Sequence, residues 1–471
     1  MARDLIKGEI PDSWEFTTLG EVCRRGGGSI QTGPFGSQLH ASDYVPSGVP
    51  CIMPTNIGDN RIIENGIARI TEEDADRLGQ HRLRAGDIVY SRRGDVEKRA
   101  LIREREHGWL CGTGCLKVRL GSGVVDPLFA SQFLGHPAIR EWIVRHAVGA
   151  TMPNLNTTIM SSVPFALPPL EEQEALAAVL GALDDKIELN RRMNATLAAM
   201  ARALFQSWFV DFDPVRAKLD GRLPDALDAT TAGLFPSAFQ DSPLGHIPKG
   251  WGTGSILRQC DLLSGGTPKT DVPDYWNGNI AWASAKDVSQ CGEAFLVSTE
   301  RSITELGVAE SSTRIVPQLA TVVVARGATT GRITMLAHAM AMNQTCYALR
   351  STVGAPYALY CNARYFMERL VQGGHGSIFD TITTSTFEAT NVLLAPKEVL
   401  LAFDSQVSSL FQQIRANLHQ SRTLTTLRDT LLSKLLSGEL SVPDSVIGDN
   451  GAAAIKGVMP DVPVEPRGAA P

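Results

Sequence analysis

Two stretches of this chain end a β-prone run in arginine and glycine: "GDIVYSRRG" at Gly86–Gly94 and "ATVVVARGATTG" at Ala320–Gly331. Glycine lets a backbone approach another surface closely, and a guanidinium presents a fork of donors that fits a phosphate or the edge of a guanine. Other donors sit near glycine turns in the same way. In the first half they are Arg24, Arg25, Ser37, Gln38, Arg92, Arg93, Lys98, Arg99, Asn154 and Asn156; in the second they are Thr267, Lys269, Lys286, Arg326, Arg332, Asn343 and Gln344. Hydroxyls and backbone N–H groups can hold phosphates, while Arg, Asn and Gln can read base edges. Any one of these is more often an ordinary solvated loop residue. Their recurrence at glycine turns in both halves makes the set a candidate nucleic-acid surface.

Bond-breaking chemistry is not written here. No phosphate-cradling G-x-x-x-x-G-K-[ST] loop, H-E-x-x-H or G-x-S-x-G occurs. The [DNS]-P-P-[YFW] loop that would hold a flipped adenine is missing; "LPPLEE" at Leu167–Glu172 lacks the aromatic and opens a helix. The eight cysteines include no C-x-x-C, so they read as buried reduced thiols, and no metal site is expected. The nine histidines show no partner pattern, and His81 reads as a solvated surface residue. We therefore assign no catalytic residue. The 471 residues allow two or more cores, and 43% hydrophobic with 20% charged residues fits a globular chain. A net charge of −6 argues only weakly against nucleic acid, because a local basic face can hide in it. No apolar run reaches membrane-span length and the charged N-terminus lacks a signal core, so a cytoplasmic protein without membrane contact is expected.

Two long helices must position the loops. Leu176, Leu180, Leu183, Ile187, Asn190, Asn194, Leu197, Ala201, Leu204 and Trp208 follow alternating spacings of four and three. That is a heptad seam. Adding 227 to each gives Phe403, Val407, Leu410, Ile414, Asn417, Ser421, Leu424, Arg428, Leu431 and Leu435, a second seam with its polar slots in the same places. Only Arg428, opposite Ala201, breaks the match. Buried polar seam residues cost stability and fix register, so the two helices are expected to pair with each other. The echo extends further. "IPDSW" (Ile10–Trp14) recurs as "IPKGW" (Ile247–Trp251), with Cys23 opposite Cys260. "GTGCLKVR" (Gly112–Arg119) recurs as "NQTCYALR" (Asn343–Arg350), and "GATMPNLNTTIM" (Gly149–Met160) as "GSIFDTITTSTF" (Gly376–Phe387). Ordered matches with slowly drifting offsets mean a duplicated unit.

The expected organisation is α+β. A first β-rich domain (1–168) and a central helix (169–212) are joined by a linker (213–245) to a second β-rich domain (246–396). A C-terminal helix (397–440) and a disordered tail (441–471) complete the chain. The two helices form an antiparallel coiled coil within a pseudo-two-fold repeat.

"IQTGPFGSQLHASDYV", "GDIVYSRRGD", "ALPPLEEQEALAAVLGALDDKIELNRRMNATLAAMARALFQSWFVDFDPV", "GGTPKTDVPDYWNGNIAWASAKDV" and "LRDTLLSKLLSGEL" resemble the hallmark segments of the specificity subunits of type I restriction–modification systems. The resemblance runs to about Val442. It implies two target recognition domains that read the two parts of a split double-stranded DNA sequence. It also implies a helical pair that sets their spacing and docks two methyltransferase subunits, and through them restriction (translocase) subunits. S-adenosylmethionine, ATP and Mg would bind to those partners, leaving this chain without a cofactor. The second copy departs from the pattern: its helix opens with "LAPKEVLLAFDSQV", and "GSIFDTITTST" lacks the Pro-Asn-Leu of the first. Different base contacts and an asymmetric target are therefore expected. A helix of about 33 residues spans roughly 50 Å, on the order of 15 base pairs, and half-sites one helical turn apart leave a gap of about 5–8 base pairs. Two other readings stay open: a fused DNA methyltransferase–nuclease, which the missing motifs oppose, and an orphan coiled-coil adaptor that no longer binds DNA.

Overall fold

A computed structural model describes residues 14–149, 151–225, 227–373, 381–436 and 439–440. Residues 441–471, expected to form a tail, lie outside the described residues, as do Ile10–Ser13 of the first repeat match. The chain divides into two compact units, one running to Lys186 and resuming at Leu424, the other spanning Ile187–Thr423.

The first unit starts with β1 (Glu15–Thr18), α1 (Leu19–Arg25) and β2 (Gly27–Thr32). It continues through β3 (Tyr44–Ile52), β4 (Ala68–Ile70), α2 (Glu72–Arg77), β5 (Ile88–Ser91), β6 (Arg99–Leu101), β7 (Leu110–Cys111) and β8 (Cys115–Gly121). The helices α3 (Pro127–Phe133), α4 (Pro137–His146) and α5 (Thr157–Ser161) then lead through β9 (Pro164–Leu167) into the long helix α6 (Leu170–Phe209). The strands form a sheet of order β2-β8-β5-β6, a smaller one of order β4-β3-β7, and the antiparallel pair β1-β9. Strand β5 shows why "IVYS" is almost wholly apolar. Ile88 and Tyr90 face a core built around Phe129, Phe133 and Phe165, while Val89 faces a second core with Ile52 and Cys115. A strand covered on both faces loses the usual apolar–polar alternation.

The second unit adds α7 (Asp213–Leu219), α8 (Ala229–Gly233), β10 (Phe239–Ser242), β11 (Gly245–Pro248), β12 (Gly252–Ser255), β13 (Cys260–Ser264) and β14 (Trp276–Ala283). Then come α9 (Ala285–Cys291), β15 (Phe295–Leu296), β16 (Arg301–Ile303), α10 (Glu305–Ala309), β17 (Ile315–Val316), β18 (Thr321–Val324), β19 (Ile333–Leu336), β20 (Met340–Met342) and β21 (Cys346–Ser351). It ends with α11 (Pro356–Gly373), α12 (Thr384–Ala389), β22 (Asn391–Leu394) and the long helix α13 (Lys397–Leu436). Its sheets, β13-β21-β18-β19-β15, β16-β14-β20-β17 and β12-β22, repeat those of the first unit with one edge strand added to each larger sheet. The registers repeat as well. Glu15 faces Leu167 as Gly252 faces Leu394, so equivalent residues are 237 apart where the repeat begins and 227 apart where it ends. Parallel pairing of Ile52 with Cys111 returns as Ala283 with Met342.

The helices run antiparallel within each unit. In the second, Asn190 meets Gln420 and Ser421 while Asn194 meets Asn417. In the first, Asp184 meets Arg428, and Leu176 and Leu180 share a core with Leu432 and Leu435. Of the seam residues, Leu176, Leu180, Leu183, Asn190, Asn194, Ala201, Trp208, Phe403, Val407, Ile414, Asn417, Leu424 and Leu435 are buried. Ile187, Leu197, Leu204, Leu410 and Leu431 are half-buried. Phe205, Phe209, Phe411 and Leu432 are buried beside the seam, because a third layer of structure packs on the helix there and widens the apolar stripe.

Two expectations are corrected. The described residues of the 213–245 segment, 213–225 and 227–245, are not linker. They fold into α7, α8 and the first strand of the β10–β11 hairpin, and Val215 and Phe235 enter the core of Trp208, Trp251 and Phe403. The match of Cys23 to Cys260 also fails: Cys23 lies on α1, whereas the second copy has only a single turn at Ile256–Arg258, so Cys260 already opens β13.

Candidate nucleic-acid interface

In the first unit four loops converge at one end of the larger sheet. Residues 33–38 leave β2, residues 92–98 leave β5, residues 112–114 enter β8, and residues 148–149 and 151–156 precede α5. The Gly33 N–H donates to the Cys115 carbonyl at 2.9 Å, and a Cβ on Gly33 would lie 2.1 Å from the Gly112 oxygen, so only glycine fits. The Arg92 N–H donates to Gly114 O at 2.8 Å, its Nε donates to Leu155 O at 3.1 Å, and its guanidinium lies 5.8 Å from the Phe35 ring. The Gly94 N–H donates to Pro153 O at 3.1 Å, and Arg93 bridges Asn154. The Gln38 side chain accepts from the Phe35 N–H, fixing the turn that also carries Ser37. Arg93 is exposed, and neither Arg92 nor Arg93 has a carboxylate partner among the described residues. Lys98 is pinned to Asp95 at 2.7 Å.

The second unit builds the same loop end by itself. A Cβ on Gly265 would lie 2.1 Å from Asn343 O, and the Gly266 N–H donates to Met342 O at 2.9 Å. The Thr267 hydroxyl donates to the Gln344 side chain, and Asn343 Oδ1 accepts from Thr345. The Ala325 N–H donates to Thr345 O, the Ile382 N–H donates to Ala325 O, and Arg326 bridges Thr381. Trp282 and Trp276 fasten the 266–269 loop from beneath, their indole N–H groups donating to Gly266 O and Lys269 O at 3.0 Å each. Arg326 and Arg332 are exposed and have no carboxylate partner among the described residues; Lys286 is paired to Glu300 at 2.6 Å.

Four of the proposed contacts belong elsewhere. Arg99 is only 6% exposed; its Nε donates to Ser131 O at 2.7 Å, and burial pulls the guanidinium pKa down. Lys98 and Arg99 are chain neighbours, but Lys98 lies just before β6, whereas Arg99 opens the strand, whose three residues are all buried. Asn156 caps α5, its Oδ1 accepting the Ile159 N–H at 2.8 Å. Arg24 and Arg25 sit on α1, where Glu21 holds both and Glu15 holds Arg25 at 2.5 Å. They precede the start of β2, while the converging loops lie past its end, six residues and about 20 Å away. His81, read as a surface residue, is buried. Sequence reasoning missed Phe35, which is 56% exposed among the loop arginines, and Arg301, whose guanidinium lies 3.5 Å from the Trp276 ring.

Among the described residues no group of three or more His, Cys, Asp or Glu is arranged to hold a metal ion, and no helix is long and apolar enough to cross a membrane. What the two loop ends offer is hydrogen-bond donors on glycine-hinged backbone.

Residues 11–199 and 248–424 match the family described as type I restriction modification DNA specificity domain, once in each half of the chain. A type I restriction enzyme HindI specificity subunit of Haemophilus influenzae is 24% identical over 83% of this chain and 95% of its own length. The MjaIX specificity subunit of Methanocaldococcus jannaschii is 24% identical over 93% of this chain and 96% of its own. The crystal structure of a type I restriction–modification S subunit from M. genitalium has the same fold, with a TM-score of 0.51 at 15% identity over 90% of this chain and 96% of that one.

Proposed function

Because this chain belongs to the type I restriction–modification DNA specificity family, we propose that it reads an asymmetric, two-part DNA target, one part with each β unit, and docks methyltransferase subunits. It is a DNA specificity subunit. The observation that carries the two-part reading is the duplication of the loop end: the same strands, glycine approaches and Arg-Gly turn occur twice, with different side chains. Arg93, Arg326 and Arg332, exposed and without carboxylate partners among the described residues, are ready to meet phosphates and base edges. The helices, each 40 residues and about 60 Å long, set the distance between the two half-sites. Restriction subunits join through the methyltransferases. The methyl donor, ATP and Mg are bound by those partners in the cytoplasm, and this chain contributes no catalytic group.

Mapping methylated adenines in a host genome with and without this gene tests the assignment; a methylation pattern that does not change rejects it. Inserting one heptad into either long helix changes the gap between the half-sites. A methylated sequence that keeps its spacing after the insertion rejects the ruler. Methyl transfer by the purified chain alone would instead mark it as an enzyme, and failure to shift DNA in the presence of its methyltransferase would mark it as an adaptor.

A further inference from the structure

Resting on the DNA-binding reading above, we infer that Arg301 is a specificity-determining residue of the second unit, reading a guanine edge. Three observations support this. Its guanidinium lies 3.5 Å from the centre of the Trp276 ring and 5.7 Å from that of Trp282, and the two indoles meet edge to face at 5.2 Å. Both indoles are buried, while Arg301 is exposed. A planar cation stacked on an aromatic face is held in orientation before any ligand arrives. Second, the side chain has no carboxylate partner among the described residues, although Glu300 beside it is engaged by Lys286. Third, the stack belongs to the loop end. The two indole N–H groups hold the carbonyls of Gly266 and Lys269, and that loop is joined to Met342 and Gln344.

The comparison between repeats separates a reading residue from a general feature of the fold. In the second unit Trp276 faces Ile303, and Trp282 faces Arg301; in the first Tyr44 faces Ile70, and Cys51 faces Ala68. The register therefore places Tyr44, Cys51 and Ala68 where the second unit has Trp276, Trp282 and Arg301. The same bulged strand pair is built without the arginine, so the fold does not require it. A fixed fork on one copy only is what two unlike half-sites need, and a bidentate contact to guanine O6 and N7 is the base contact that a guanidinium plane best fits.

The test uses the full chain with its methyltransferase partner and the duplex that wild-type methylation mapping identifies. Arg301→Ala weakens binding to this duplex about 10- to 100-fold, and the methylated motif becomes degenerate at one guanine of one half-site. Replacing that guanine with 7-deazaguanine weakens wild-type binding and leaves the Arg301→Ala complex unchanged. Arg301→Lys keeps the charge but not the fork, and restores only part of the affinity. Any of four results overturns the inference: a half-site without guanine, equal weakening on cognate and unrelated DNA with a shallower salt dependence (a phosphate contact), full rescue by lysine, or an unchanged motif with a lowered melting temperature of the free protein. If the wild-type protein directs no methylation at all, it is the DNA-binding assignment that fails, not this residue.

Discussion

Arg428 is the one residue that breaks the match between the two seams, and the structure gives it a partner. Its guanidinium meets Asp184 at 2.7 Å, with side-chain exposures of 12% and 10%. Asp184 also accepts from the Gln132 amide. Asp59 and Asp429 flank the arginine from solvent and contribute little. Arg428→Met removes the cation but leaves a carboxylate out of water with one amide for company. Breaking a buried pair from one side costs about 3–5 kcal/mol, whereas replacing both partners by apolar side chains of similar size is near neutral or stabilising. The double variant Asp184→Leu/Arg428→Met should therefore recover most of the loss. For a unit of this size, 3–5 kcal/mol lowers the melting temperature by about 6–20 °C. Calorimetric scans of wild type, both single variants and the double variant measure this, and because the pair is shielded the differences should persist at 1 M salt. If the double variant is as unstable as either single one, or if the single variants lose under about 1 kcal/mol, the pair is not what ties this end of α13 to α6.

The other expected outcomes rest on separate parts of the fold. Arg92→Ala and Arg326→Ala each weaken specific DNA binding by about 1–3 kcal/mol if they touch guanine, while Arg99→Ala costs about 1.5–3 kcal/mol of stability through its lost carbonyl contact; gel shift and urea unfolding in parallel sort the three, and a binding-only effect of Arg99→Ala would contradict its burial. Asn417→Ala leaves the buried Asn194 Oδ1 without its 2.9 Å donor and costs about 1–3 kcal/mol, read from the denaturation midpoint. Burial pushes the Asp404 carboxyl up to about 6, against the pull of the Ala358 and Tyr357 N–H groups. Its folded pKa thus exceeds the unfolded value of about 4, so its stabilisation is full below about pH 4 and is lost as pH rises through about 6. The melting-temperature advantage of wild type over Asp404→Asn should shrink from pH 4.5 to 7.5, and a growing advantage would reverse the assignment.

The sequence by itself determined the periodic and repeated features. The spacing of Leu176, Leu180 and Leu183 specifies a helix seam, the Asn190 and Asn417 slots mark where polar side chains meet, and the drift from 237 to 227 residues locates the duplicated strands. Such patterns are local or self-similar, so one chain displays them without its fold. Tertiary structure decided everything that depends on which face a side chain takes and which distant residue lies opposite. Lys98 and Arg99 are adjacent in the chain, yet one is exposed before the strand and the other is buried, because Arg99 opens β6, which β5 and α3 cover. Asn156 is spent on a helix cap and Arg25 on Glu15. Arg301, separated from Trp276 by 24 intervening residues, becomes a stacked fork only through the register of an edge strand with its bulged neighbour. Pairing energies between residues far apart in sequence set that register, and composition carries no trace of it.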